Sequence, residues 1–447
     1  MSSLGDLPDE ILLEIVCRLE AIRSYETQST AFKHKQTEKG RQCENHLRQR
    51  TLYALCLTSH RLRCVSLPTL YQSSITCATR GGLRRISLLY RTISSPDNAL
   101  SQTKRLAEHI QYVENRLADY LGNSLQDDET FQETLATSYF QLLAKVVLCA
   151  PNIDNLCIVT LEHDDVSFWT HLLGRSYHTM IRVGHGPSKL THLSIQIHAH
   201  TWTFEQEPSV FERINLNLRS FTLLSELRIS GASTNRHYEG PIHLGQLPSI
   251  RLLDLTECNL EMSEVARLLH ACNNVQHFTC KWTFLDNAYY GPCELRAALL
   301  ARANTLETLI LDFRDIRYSP HIDPKWHMLG SLRPMRILRY LEICETGFLD
   351  SGLSLLDSHE QIVDCDLSEL LPESLEHLKL LTQGTFNHYP DDVLEEAFCL
   401  FGLADDCKKS VPHLETLRVV SRHHLTALNI VAAFAKTGVR FQTEMEV

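Results

Sequence analysis

The sequence predicts an α/β protein in two parts: a small all-α unit, then a solenoid with a parallel sheet on its concave face and helices on its convex face. Three observations predict it. An amphipathic helical pattern opens the chain, a strand-like apolar pattern recurs nine times after residue 150, and helical patterns fill the intervals between recurrences. Of the 447 residues, 43% are hydrophobic and 22% charged, the proportions of an ordinary globular protein rather than a fibre or a disordered chain.

The first element covers Asp6 to Glu20. Pro8 suits the first helical position, where its missing N–H costs nothing, and Asp9 and Glu10 then meet the positive end of the helix dipole. Apolar Ile11, Leu12, Ile15, Val16 and Leu19 fall at three- and four-residue steps and make one oily face. So short a helix is not stable alone and must pack on something. Its expected partners lie in Leu52 to Tyr71: a helix, a corner near Thr58-Ser59 with Ser59 as N-cap, and a second helix that stops before Pro68.

These segments resemble the F-box. The resemblance rests on Leu7-Pro8-x-Glu10-Ile11-Leu12-Leu13-x-Ile15, then Leu55-x-Leu57-Thr58-Ser59-x-Arg61-Leu62-Arg63 and Leu67-Pro68-x-Leu70-Tyr71. It implies binding of an Skp-type adaptor and, through it, a cullin. Leu7, Pro8, Glu10, Ile11, Leu12 and Ile15, with Leu52, Leu55, Arg61 and Leu62, would line or support that interface. The sequence departs from the pattern at residues 21–50, a polar stretch between the two blocks that is rich in Lys, Arg, Gln and Glu. Loop-closure entropy rises only slowly with length, so such an insert is thermodynamically tolerable.

The repeated pattern is apolar-x-x-apolar-x-apolar. It starts at Ile153, Leu190, Leu224, Ile250, Val275, Leu306, Leu338, Leu375 and Leu414, with steps of 37, 34, 26, 25, 31, 32, 37 and 39 residues. Two steps lie within the leucine-rich-repeat range of roughly 20–29 residues. The fourth repeat, Ile250-x-x-Leu253-x-Leu255-x-x-Cys258-x-Leu260, fits that template through its Asn/Cys position, so Cys258 is expected to point inward near the turn backbone. One repeat cannot bury its own apolar positions. Stacking lets Leu156, Leu193, Leu227, Leu253, Phe278, Leu309, Leu341, Leu378 and Leu417 form one ladder.

Side chains alternate along a strand, so the third and fifth positions of each repeat face away from the ladder. They are Asn155, Cys157, His192, Ser194, Glu226, Arg228, Leu252, Asp254, His277, Thr279, Thr308, Ile310, Tyr340, Glu342, His377, Lys379, Thr416 and Arg418. Mixed charge with aromatic groups suits a protein or peptide partner. The target-binding candidates are His192, Glu226, Arg228, Asp254, His277, Tyr340, Glu342, His377, Lys379 and Arg418, with Tyr340 the leading one. The domain organisation expected is a helical unit over 1–75 with its insert at 21–50, a helical transition or cap over 76–150, and the repeat array with a C-terminal cap over 151–447.

The remaining classes are disfavoured. Lys+Arg 43 against Asp+Glu 54 gives a net charge of −11, which argues against binding nucleic acid through its phosphates. No apolar run reaches the roughly 18 residues that cross a bilayer, and no membrane partner is expected. The 15 cysteines show no framework spacing, which fits a reducing compartment, cytoplasmic or nuclear. Cys43-x2-His46 with Cys56-x3-His60 only loosely resembles a zinc site. The pairs His198-x-His200, His423-His424, Asp164-Asp165, Asp391-Asp392 and Asp405-Asp406 form no catalytic motif, and Gly184-His185-Gly186 is too short for a dinucleotide fingerprint. No cofactor or metal is expected. The reading is a non-catalytic substrate-recognition subunit of a Skp–cullin–F-box ubiquitin ligase. The alternatives are a leucine-rich-repeat scaffold or inhibitor with no ubiquitin role, and a hydrolase or metal enzyme using these His, Cys and Asp groups.

Overall fold

The computed structural model describes residues 7–27, 35–94, 103–116, 129–160, 168, 172, 188–197, 211, 218, 221–233, 246–283, 285–319, 328–348, 367–382, 398–421 and 428–446. The chain forms two compact units, residues 1–231 with 235–242 and residues 232–234 with 243–447.

In the first unit, α1 (Asp9–Cys17) starts one residue later than its sequence suggests. Pro8 sits in the capping position, and its carbonyl accepts the Leu12 amide at 3.1 Å. Helix α2 (Lys35–Thr58) fuses the second half of the polar stretch to the start of the second F-box-like block as one continuous helix. It needs no broad apolar stripe, because ion pairs one turn apart support it: Glu38–Arg41 at 2.7 Å and Glu44–Arg48 at 2.8 Å. Ser59 caps α3 (His60–Gln72) by accepting the Leu62 amide at 3.2 Å, but α3 does not stop before Pro68. The carbonyl left without its donor belongs to Cys64, an exposed residue. Water can satisfy it there, while buried Leu62 and Ser66 anchor the helix inside.

The stretch 76–150 is more than a helical transition. It carries the last two residues of β1 (Ser73–Cys77) and all of β2 (Tyr112–Arg116), along with α4 (Arg80–Ser94), α5 (Thr103–His109) and α6 (Glu129–Cys149). These strands run parallel into β3 (Asn155–Thr160), β4 (His192–Ile197) and β5 (Glu226–Ser230), and Ser74, Val113, Leu156, Leu193 and Leu227 share one register row. The ladder therefore begins two strands before the first repeat. Its signal is lost there because Ser74, Thr76 and Asn115 replace apolar residues. Asn115 is buried and bonds both backbone groups of Val159, donating to its carbonyl at 2.9 Å and accepting its amide at 2.7 Å. Asn115→Ala should cost ~1–3 kcal/mol by leaving those groups unpaired, read as a lower urea midpoint.

The second unit repeats the plan with β6 (Leu252–Cys258), β7 (His277–Trp282), β9 (Thr308–Asp312), β11 (Tyr340–Cys344), β12 (His377–Leu381), β13 (Thr416–Ser421) and β14 (Arg440–Met445), all parallel. Short β8 (Leu285–Ala288) and β10 (Ile316–Tyr318) pair separately. The helices between strands are α7 (Met262–Ala271), α8 (Cys293–Leu300), α9 (Leu367–Leu370), α10 (Phe398–Ser410) and α11 (Leu428–Ala435). Leu253, Phe278, Leu309, Leu341, Leu378, Leu417 and Phe441 make one buried row across the sheet. Cys258 is buried as expected, its thiol 3.5 Å from the Thr256 carbonyl. Phe434 stacks on Phe441 at 5.4 Å and closes the C-terminal end of the row.

Candidate functional site

Two kinds of surface stand out. At the N-terminal helices, Leu12, Leu52 and Leu62 are buried. They are the seam of the helical unit, α1 and α2 each packing on α3, rather than part of a presented face. Pro8, Glu10, Ile11 and Arg61 are exposed, and Leu7, Ile15 and Leu55 are half-buried. Arg61 fastens the start of α1: its guanidinium donates to the Leu7 carbonyl at 2.7 Å and to the Asp9 carboxylate at 2.8 Å. Three large apolar side chains that sequence reasoning left out of the site are open to solvent, as Ile11 is (48%): Leu13 (48%), Tyr53 (58%) and Leu57 (69%). The four-residue spacing of Tyr53 and Leu57 on one helix was a usable signal, since such a pair shares a face.

The face opposite the ladder differs between the units. In the first it is occupied by the chain itself. Tyr112, Asn155 and His192 occupy one register row on that face. Residues 22–25 run over it as a strap. Arg23 reaches Asp154 at 2.8 Å and Gln111 at 3.1 Å, the Ser24 amide donates to the Tyr112 hydroxyl at 2.9 Å, and the Tyr25 ring meets His192 edge-on at 5.3 Å. Helix α2 pins the strap. Arg41 and Arg48 donate to the Ile22 and Glu20 carbonyls, each at 2.8 Å, and buried Asn45 bonds both backbone groups of Ile22.

At the centre lies Glu114, which is 1% exposed. Its carboxylate accepts Arg41 at 2.7 Å, Arg116 at 2.7 Å and the Tyr112 hydroxyl at 2.6 Å. Burial alone would raise its pKa, but Arg116 and Arg41 outweigh it and hold the carboxyl below its usual range. Burial first, then the Glu114 charge, push the Cys157 thiol up to about 12, which leaves it a poor nucleophile. Asn155, Cys157 and Ser194, expected on an open surface, are therefore buried. His192, Glu226 and Arg228 remain half-exposed and engage one another, Glu226 lying 3.2 Å from His192 and 3.3 Å from Arg228.

In the second unit the same face carries the other candidates. His277 lies 3.1 Å from the Thr308 hydroxyl and His377 lies 2.9 Å from that of Thr416, so both bridge neighbouring strands. Asp254 is half-buried and Arg418 exposed. Glu342 is buried instead of presented, because Lys281 at 3.3 Å, Lys379 at 3.5 Å and the Tyr340 hydroxyl at 3.2 Å close around it. Tyr340 is half-buried against His377, and burial followed by the Glu342 charge raises its pKa to about 12. It stays a neutral donor at any physiological pH.

Cys43, His46 and Cys56 lie on α2 and His60 on α3, and among the described residues no group of three or more His, Cys, Asp or Glu could hold a metal ion. The described cysteines are free thiols, and no helix among the described residues is long and apolar enough to cross a membrane. Asp405-Asp406 lies within α10. The motifs at 164–165, 184–186, 198–200, 391–392 and 423–424 lie outside the described residues.

Comparison with curated proteins gives no match. Residues 187–447, more than half of the chain, match the leucine-rich repeat domain family. The match covers β4 to β14, and β1 to β3 extend the same register ahead of it. With its parallel strands, shared ladder and buried Cys258 at the template position, the chain belongs to the leucine-rich repeat domain family.

Proposed function

We propose that the chain is a non-catalytic substrate receptor of a Skp–cullin–F-box ubiquitin ligase, working in the cytosol or nucleus. The N-terminal helices would hold an Skp-type adaptor and the repeat sheet a target protein. A leucine-rich repeat domain suits protein interaction in general. The observation that carries the finer reading is the helical unit: it closes on Leu12, Leu52 and Leu62 yet leaves Ile11, Leu13, Tyr53 and Leu57 in solvent. Exposed aromatic and aliphatic anchors of this kind mark protein interfaces. The ligase chemistry would come from other subunits, and this chain would contribute proximity by raising the local concentration of a target lysine.

The test is adaptor capture by the full chain. Ile11→Asp/Leu13→Asp should weaken capture at least about tenfold, as loss of a central apolar anchor does, while the circular dichroism spectrum is unchanged because both side chains lie outside the core. Capture equal to wild type, or no capture by wild type, would instead favour a scaffold or inhibitor without a ubiquitin role. That second reading has one observation on its side: the family match begins at residue 187 and leaves the N-terminal helices unmatched.

A further inference from the structure

We infer that residues 23–25 hold the place of a target: the face opposite the ladder in the first unit takes an extended segment of a protein partner that carries an arginine two residues before an aromatic residue, and that segment displaces the strap. This rests on the reading of the repeat sheet as the target-binding surface and names the chemistry of the target.

The strap shows what the face selects. Asp154 and Gln111 take the Arg23 guanidinium at 2.8 and 3.1 Å, and the Tyr112 ring lies 5.8 Å from it. One residue on, the Tyr112 hydroxyl accepts the Ser24 amide at 2.9 Å, a main-chain contact that any residue but proline can make. The Ser24 hydroxyl itself turns to the Glu26 carbonyl at 3.4 Å. The next residue, Tyr25, meets His192 ring against ring at 5.3 Å. The requirements are therefore a cation, a main-chain N–H and a flat ring in three successive residues, and the middle side chain is not read.

Two features make this occupant exchangeable. Its hold is divided: α2 grips Glu20 and Ile22 through Arg48, Arg41 and Asn45, whereas Arg23, Ser24 and Tyr25 touch the sheet. Residues 23–25 swing away about Ile22 with the α2 bonds kept, and they belong to no helix or strand, so no ladder is broken. The fit is also incomplete. Asn155 lies between Tyr112 and His192 in one register row and is 1% exposed, and its side-chain Nδ2 has no hydrogen-bond partner among the described residues. The strap passes from one neighbour to the other without offering it an acceptor. A buried donor left unmet is costly, so a segment that remakes the three strap contacts and also brings a carbonyl oxygen to Asn155 is the better occupant.

The test uses the full chain and a fluorescein-labelled peptide with the sequence of residues 21–27, with a scrambled peptide of the same composition as its control, read by fluorescence anisotropy. In wild type the tethered strap competes at a high effective concentration, so the free peptide should bind weakly. Arg23→Ala/Tyr25→Ala loosens the strap and should raise peptide affinity at least about tenfold. Arg23→Gln alone should shift it in the same direction if the double variant folds poorly. Adding Asp154→Asn to the loosened chain should cancel the gain. Adding Asp405→Asn, on α10, makes the same change of net charge away from this face and should leave affinity within about twofold. Equal affinity of wild type and the loosened chains, equal binding of the scrambled peptide, insensitivity to Asp154→Asn, or an equal loss with Asp405→Asn would each overturn the inference. Adaptor capture, measured on the same protein, keeps the two readings separate. Its loss with peptide exchange intact fails the ligase reading alone, and the reverse fails this inference alone.

Discussion

Glu114→Ala should destabilise the first unit by ~3–5 kcal/mol, the usual cost of removing one member of a buried ion-pair cluster. The substitution deletes the carboxylate that gathers Arg41, Arg116 and the Tyr112 hydroxyl and leaves two largely buried guanidinium groups without it. Arg41 keeps Glu38 at 2.7 Å, which places the loss nearer the lower end of that range. The acid limb gives a second readout. The Glu114 carboxyl is depressed in the folded protein, against burial, by Arg116 and Arg41, and Glu38 is lowered too, against burial, by its hydrogen bonds to Arg41 and Gln42. A depressed folded value means the stabilisation is fully present above the unfolded carboxylate pKa of about 4.3 and is lost as pH falls through the folded value. Wild type should therefore lose stability steeply below that range, and Glu114→Gln less steeply. Urea midpoints of the three proteins from neutral to acid pH check both statements, and parallel curves would show that Glu114 does not govern the acid limb.

Leu309→Ala should cost ~2–5 kcal/mol. Leu309 is fully buried, with Phe278 and Leu341 as its register neighbours, so the lost methyl groups are missed on two sides. In a stacked array each strand is stabilised only by its neighbours, so a cavity in the middle weakens two interfaces at once. Ile310 is the internal comparison: one residue on, it points to the opposite face and is half-buried, and Ile310→Ala should cost clearly less. Equal urea midpoints for the Leu309 and Ile310 variants would contradict the ladder assignment.

The repeat sheet was legible in the sequence from β3 to β13 because one six-residue pattern with period-two alternation returns nine times. All nine ladder residues from Leu156 to Leu417 are buried. The first two strands were not legible, since Ser74, Thr76 and Asn115 stand where the pattern asks for apolar groups; Thr76 bonds the Tyr139 hydroxyl and Asn115 the Val159 backbone instead. The N-terminal candidates were half legible. Helical spacing gives Leu12 an inward side, but it cannot say that Leu52 and Leu62 close the seam while Leu13, Tyr53 and Leu57 stay wet. The strap was invisible for a different reason. Arg23 and Asp154 are 131 positions apart, and Arg41 and Glu114 are 73 apart, and no local pattern records such pairings. For the same reason the polar stretch at 21–50 read as an insert with no task, although part of it covers one face of the sheet. Glu342 was misjudged because alternation predicts direction and not company: it does point to the expected side, where Lys281 and Lys379 enclose it.

The continuation of the sheet ahead of the family match has a practical consequence for anyone who trims the chain. A fragment cut at residue 187 would keep β4 and discard β3, although six residues of each are paired. It would strip one flank from Leu193 and Ile195 and leave a raw strand edge that can recruit a second molecule. Recombinant pieces that begin before α1 keep that flank covered and should stay monomeric where the shorter ones clump.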